Sequence, residues 1–418
     1  MLLNKFLLLI LSAILAFASS KAQSFDIVIK GGHVIDAKNN INEMMDVAIA
    51  DGKIARVAKN IDTAGAAQVV DAKGMYVTPG LIDIHGHVFA GTEPDRYLSN
   101  GLVALAPDGF TFRVGVTTIV DAGGAGWKSF PTFKTNIIDN SKTRVLAFLN
   151  IVGEGMRGGV YEQNPHDMDS KMAASIARKY KNDIVGFKVA HYEAEEWVAV
   201  DNAVEAGKMV NMPVMIDFGG DDSHKPLSIE DLFFKHLRPG DIYTHAFTEL
   251  QRRDPIVDLN TRQLKAFVKN AQARGIIFDV GYGGGSFDYR QAIPATKAGF
   301  FPNTMSTDLH TGSMNAAMKD MLNVMSTFLA LGMELPAVIK ASTWTPAQVI
   351  KREQLGNLSV GSGADVAVLN LRKGNFGLWD RVGYKLKATQ KFECEMTIRD
   401  GKIVYDLNGI ATPIVLNR

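Results

Sequence analysis

His85 and His87 stand two residues apart in LIDIHGH, so on a strand both imidazoles face one side and converge on a point. Such a pair can chelate a transition metal; it can equally be two buried histidines satisfied by hydrogen bonds. Lys188 sits in the apolar run IVGFKVA, where an unpaired ammonium is costly to bury. Either its head reaches a carboxylate or solvent, or a lowered pKa lets the neutral amine react with carbon dioxide. The resulting carbamate is an anionic oxygen ligand able to bridge two metals. Asp308 in MSTDLH has the place of a metal ligand or general base, and also that of a cap on a following helix. Asp217 in PVMIDFG and His245 in DIYTHAF are ambiguous singly. What unites the set is that each falls at or near the end of an apolar run.

Those runs recur through the middle of the chain, beginning at 81, 117, 145, 184, 213, 242, 276 and 305 and alternating with helix-like or polar stretches. Nearly continuous apolar strands are what a parallel sheet covered on both faces requires. Eight βα units over residues 79–345 predict an α/β fold, a (β/α)8 TIM barrel, whose chemistry sits at the C-terminal strand ends. One intervening helix is expected at 261–275, with Thr261 as N-cap and Gly275 as terminator. The flanks have another grammar. Residues 25–78 and 346–418 alternate short strands with turns, including Asp-Gly at 51–52 and at 400–401, and predict one small composite β-sandwich domain built from both chain ends.

Composition narrows the classes further. The chain has 418 residues, 46% of them hydrophobic, which suits a globular protein, and a formal net charge of +1 gives no bulk attraction for nucleic acid. A single cysteine, Cys394, excludes a disulfide framework and a cysteine-rich zinc module. That leaves imidazole and carboxylate as the ligands on offer. Residues 1–22, with a basic start, the apolar run FLLLILSAILAFA and small residues before Gln23, read as a signal peptide, too short for a permanent membrane span. The mature protein is therefore expected to be exported, periplasmic or secreted.

Motif by motif, the chain is similar to a known superfamily. PGLIDIHGH at 79–87, GVTTIVDAG at 115–123, STDLH at 306–310 and the tail from STWTPAQVI through GNLSVGSGADVAVLNL resemble the amidohydrolase superfamily of metal-dependent hydrolases. VLAFLNI, GFKVA, LRPGDIYTHAF and DVGYGGGSF resemble its deacetylase-like branch, near the dihydroorotases and N-acyl-D-amino-acid deacylases. The resemblance implies that His85, His87 and Asp308 hold a more buried metal and that His245 holds a more exposed one. It also implies that a carboxylated Lys188 bridges them and that Asp308 is the catalytic proton shuttle. The cofactor implied is Zn2+, one or two ions, with other divalent metals open.

Two positions depart from the pattern. Asp217 replaces the usual strand-five histidine; it can still ligate a metal, and it leaves a mononuclear enzyme open. Tyr282 also stands where histidine is expected, and its phenol would be a donor to a carbonyl or oxyanion. Arg157 and the loop of Gly284 and Ser286 are candidates for a substrate carboxylate; a plain turn is the competing account of the loop.

The activity implied is hydrolysis of an amide or ester in a small N-acyl or O-acyl acid by a metal-bound hydroxide. Cyclic amide hydrolysis of the dihydroorotase or hydantoinase kind is the alternative, and a non-catalytic, metal-poor ligand-binding barrel is the rival from another class. The partner expected is a small acyl or amide substrate, not nucleic acid, and a homo-oligomer is compatible with the chain.

Overall fold

The computed structural model describes residues 24–90, 103–217 and 226–411; the leader-like segment 1–22 and His224 lie outside them. Five strands come first: β1 (Ile27–Asp36), β2 (Ile41–Ala50), β3 (Lys53–Ala58), β4 (Gln68–Asp71) and β5 (Tyr76–Pro79). Asp51 and Gly52 join β2 to β3 with φ of 51° and 72°, the left-handed pair that a tight hairpin of matching twist needs.

A parallel sheet follows: β6 (Leu81–Gly86), β7 (Val116–Gly126), β8 (Arg144–Asn150), β9 (Ile184–Ala190), β10 (Val214–Asp217), β11 (Ile242–Tyr243) and β12 (Ile277–Phe278). The strands neighbour one another in chain order. All seven residues of β9 are buried, as an apolar strand covered on both faces must be. Helices such as Ser170–Lys179 and Val198–Val210 connect the strands, the second packing on β9 and β10. The helix expected from Thr261 begins at Ala266 instead, because Asp258 captures the Thr261 backbone N–H and hydroxyl at 2.8 and 3.0 Å in a local turn. Gly275 does end it, at φ 103°.

The eighth apolar run, at 305–310, is not a regular strand. Asp308 takes φ 52°, which breaks the extended backbone. The segment nevertheless makes parallel bridges at both sheet edges, Thr304 with Asp279 and Leu309 with Gly86. Asp308 N–H donates to the His85 carbonyl at 2.7 Å and Tyr282 N–H to the Ser306 carbonyl at 3.3 Å. It therefore lies between the last and first strands of the sheet.

The C-terminal strands β13 (Val366–Trp379), β14 (Lys385–Arg399) and β15 (Lys402–Asp406) complete the first sheet in the order β15-β14-β13-β5-β1-β2-β3, with β4 on β1. Asp400 and Gly401, at φ 48° and 75°, form its second tight turn. Both chain ends thus do build one unit. It is a single hydrogen-bonded sheet of eight strands, where two separate sheets were expected, because β5 bridges the two halves by pairing with β1 and β13. Ile27, Val47, Val77, Val366 and Met396 share its core. A second, larger core covers the parallel sheet and takes in Leu369 and Phe392 from the end unit, so the two units share apolar packing.

Candidate metal centre and active site

His85 and His87 project from the end of β6, and both are buried. The Nδ1 of His85 lies 2.8 Å from the Thr244 hydroxyl, which itself donates to Asp279 at 2.7 Å. Thr304 and Ser306 donate to the same carboxylate at 2.7 and 2.6 Å. With the Thr244 proton committed, its oxygen accepts from His85 Nδ1–H, and Nε2 is left with a lone pair. Burial, then the charge of Lys188, holds the pKa of His85 down to about 3, so the ring is neutral at ordinary pH. His245 is set in the same way: its Nδ1 donates to the Gly281 carbonyl, and Nε2 is the free acceptor.

Two carboxylates and a lysine meet these nitrogens. Asp308 Oδ1 lies 2.8 Å from His87 Nε2 and 3.5 Å from His85 Nε2. Asp217 Oδ2 lies 3.3 Å from His245 Nε2 and 3.5 Å from Lys188 Nζ. Lys188 is wholly buried, with Nζ 3.2 Å from His85 Nε2. Burial raises the pKa of both Asp308 and Asp217, but the groups facing them outweigh it. His85 and His87 hold Asp308 well below the usual carboxylate range, and Arg253 and His245 do so for Asp217. Burial lowers that of Lys188.

The atoms fall into two groups, His85–His87–Asp308 and His85–Asp217–His245, each with one ligand atom per residue, all within 4.8 Å of one another. This donor set fits a divalent cation. Neutral imidazole lone pairs aimed at ionised carboxylates repel unless a positive charge lies between them, and nitrogen with oxygen ligands suits a hydrolytic metal. The Nδ1 of His87 is buried without a hydrogen-bond partner among the described residues, while its Nε2 faces Asp308. Backbone strain accompanies the arrangement: His191, His245 and Asp308 all have φ of 52–53°, a conformation that costs a non-glycine residue about 1–3 kcal/mol and gathers at functional sites.

Comparison with known proteins gives the site its context. A Brucella anthropi protein named deacetylase is 31% identical over 350 residues, covering 82% of this chain and 83% of the relative. The chain belongs to the amidohydrolase family. The signature described as "Amidohydrolase family" matches residues 285–404 of this amidohydrolase. Among solved structures, an adenine deaminase superposes with a TM-score of 0.81 at 25% identity, covering 92% of this chain and all of that one. A dihydroorotase superposes with a TM-score of 0.77 at 26% identity, covering 91% and 99%.

Within the amidohydrolase, the six residues expected as ligands, His85, His87, Lys188, Asp217, His245 and Asp308, are brought together. The substrate candidates scatter. The Tyr282 hydroxyl donates to the Trp379 carbonyl, and its ring stacks on Phe287 with centroids 4.1 Å apart. That residue packs the barrel against the end unit and presents no donor to the site. Arg157 pairs with Glu154 at 3.3 Å and stacks over Tyr161. The glycine loop has a packing reason: a Cβ on Gly283, at φ 60°, would sit 2.5 Å from Asp308 Oδ2, and one on Gly284 2.7 Å from the Gly312 carbonyl. Ser286, half-buried, follows on the same loop. Asp121 on β7 accepts from the backbone N–H groups of Val88, Phe89 and Gly124 at 2.7, 3.2 and 2.6 Å, which fixes the chain directly after His87. His33 and His236 pair with Asn42 and Asp201, both 2.7 Å away.

Sequence reasoning missed Asp279, whose signal was a carboxylate inside the apolar run IIFDVG. It also missed Arg253, which pairs with Asp217 Oδ1 and whose Nε and Nη1 have no hydrogen-bond partner among the described residues. Nothing local in LQRRDP marks that arginine out. His191 Nδ1 lies 2.9 Å from buried Glu162 and its Nε2 3.9 Å from Asp217.

Proposed function

We propose that this amidohydrolase is a zinc-dependent deacetylase-like enzyme that hydrolyses the amide bond, or an ester, of a small N-acyl or O-acyl acid. The observation that carries it is the pair of three-ligand groups sharing His85; the likeness to a protein named deacetylase supports the bond type. A divalent ion held by these residues would polarise a carbonyl and acidify water. The chain's own part falls to Asp308. Its Oδ1 faces His85 and His87, while Oδ2, 3.7 Å from His310 Nε2, is free to take the proton of the attacking water and return it to the leaving amine.

In this reading Lys188 would supply an anionic oxygen ligand: its desolvated amine adds to carbon dioxide and releases one proton, giving a carbamate. The segment 304–309 serves as the eighth stave, closing the barrel around these residues. Residues 1–22 direct export; N-terminal sequencing of secreted material starting near Gln23 checks this. A cyclic amide is the second candidate substrate, favoured by the likeness to a dihydroorotase. Comparing turnover of linear N-acetyl amino acids with that of cyclic imides decides between them. A metal-loaded enzyme inactive on both panels contradicts the reading.

A further inference from the structure

The position where the family resemblance calls for histidine holds Asp217, and an imidazole lies beside it on the next loop. His191 follows directly on β9, and its left-handed backbone turns the ring back towards β10. Glu162, which is 1% exposed, receives Nδ1 on Oε2 at 2.9 Å and accepts from Gly158 N–H on Oε1 at 2.7 Å. A carboxylate only accepts, so in the neutral ring the proton sits on Nδ1 and Nε2 offers its lone pair. That nitrogen faces Asp217 Oδ2 at 3.9 Å. His245, anchored on the Gly281 carbonyl, offers Nε2 to the same oxygen at 3.3 Å. Asp217 in turn is anchored through Oδ1 on the guanidinium of Arg253, whose positive charge offsets the anion that the carboxylate adds to the site. Three side chains are therefore each tethered at the far atom with the near atoms converging. Ligands of a tetrahedral zinc at about 2.0–2.1 Å stand roughly 3.3–3.4 Å apart, so the His245 separation fits directly. His191 Nε2, 3.9 Å from Asp217 Oδ2 and outside the 4.8 Å group that His85, Asp217 and His245 form, joins them by an inward displacement of its ring.

We propose that His191, oriented by Glu162, is an imidazole ligand of the second metal site together with Asp217 and His245, supplying the nitrogen that the strand-five position lacks. Carboxylate-to-histidine-to-metal relays of this kind fix the ring and the tautomer. The proposal rests on the metal-dependent reading above, and the test separates the two. Metal content is measured after zinc or cobalt reconstitution and dialysis. The wild-type chain is expected to hold two ions and His191→Ala one, with the visible cobalt spectrum losing one component. His191→Gln, closer in volume, guards against a folding defect and is expected to lose the same ion. Glu162→Gln, a positioning change, keeps both but weakens the second about 10–100-fold. Two ions held equally tightly by both His191 variants overturn the proposal. A wild-type chain with one ion and intact hydrolysis overturns it and leaves the hydrolase reading standing; a wild-type chain that binds no ion overturns both.

Discussion

Asp279 touches no substrate, yet through Thr244 it decides which nitrogen of His85 carries the proton. An asparagine there could donate to Thr244, reverse the hydroxyl and turn the wrong nitrogen towards the cluster. Asp279→Asn should therefore weaken metal affinity about 10–100-fold, read by competition with a chelating dye. Asp308 has a different task. Its carboxylate stays ionised against burial because His85 and His87 face it, as a proton acceptor at neutral pH must. Asp308→Asn should cut kcat about 10²–10⁴-fold in steady-state assays.

Element by element, glycine sets how closely the strands and loops approach. A Cβ on Gly126, at the end of β7, would lie 2.0 Å from the Val152 carbonyl and 2.4 Å from that of Gly153, both backbone atoms that cannot swing away. Gly126→Ala should destabilise the fold by about 1–3 kcal/mol, seen as a lower midpoint in thermal unfolding. Gly283→Ala, at φ 60°, should lose about 1–2 kcal/mol to its left-handed backbone and also impair turnover, since its Cβ meets a reacting carboxylate. Seven strands and both Asp-Gly hairpins were legible because each depends on local pattern: apolar runs for β6 to β12, left-handed turns at 51–52 and 400–401. The segment at 305–310 defeated the pattern. Its Asp308 leaves extended backbone while Thr304 and Ser306 spend their hydroxyls on Asp279, contacts that no window of sequence contains. His85 and Asp308 were legible for their place at strand ends; Arg253 and Glu162 were not, since they reach the site from loops.

Across the whole molecule, the parallel sheet and the end unit share one core, and Tyr282 and Cys394 lie in it. Tyr282→Phe strands the Trp379 carbonyl and should cost about 1–3 kcal/mol of stability with kcat unchanged, which denaturant titration alongside assays will read. Burial pushes the Cys394 thiol up to about 12, above the ordinary 9.0. The unfolded chain therefore ionises first, and this contribution to stability, intact below pH 9, is lost as pH rises towards 12. The native thiol should resist alkylating reagents at neutral pH and react only on unfolding. The central claim, that one cluster of histidines, carboxylates and a lysine works through a divalent metal, is tested most directly by chelation. Acetate release from N-acetyl amino acids should vanish when the metal is stripped and return with added zinc; undiminished release from the metal-free protein would contradict it.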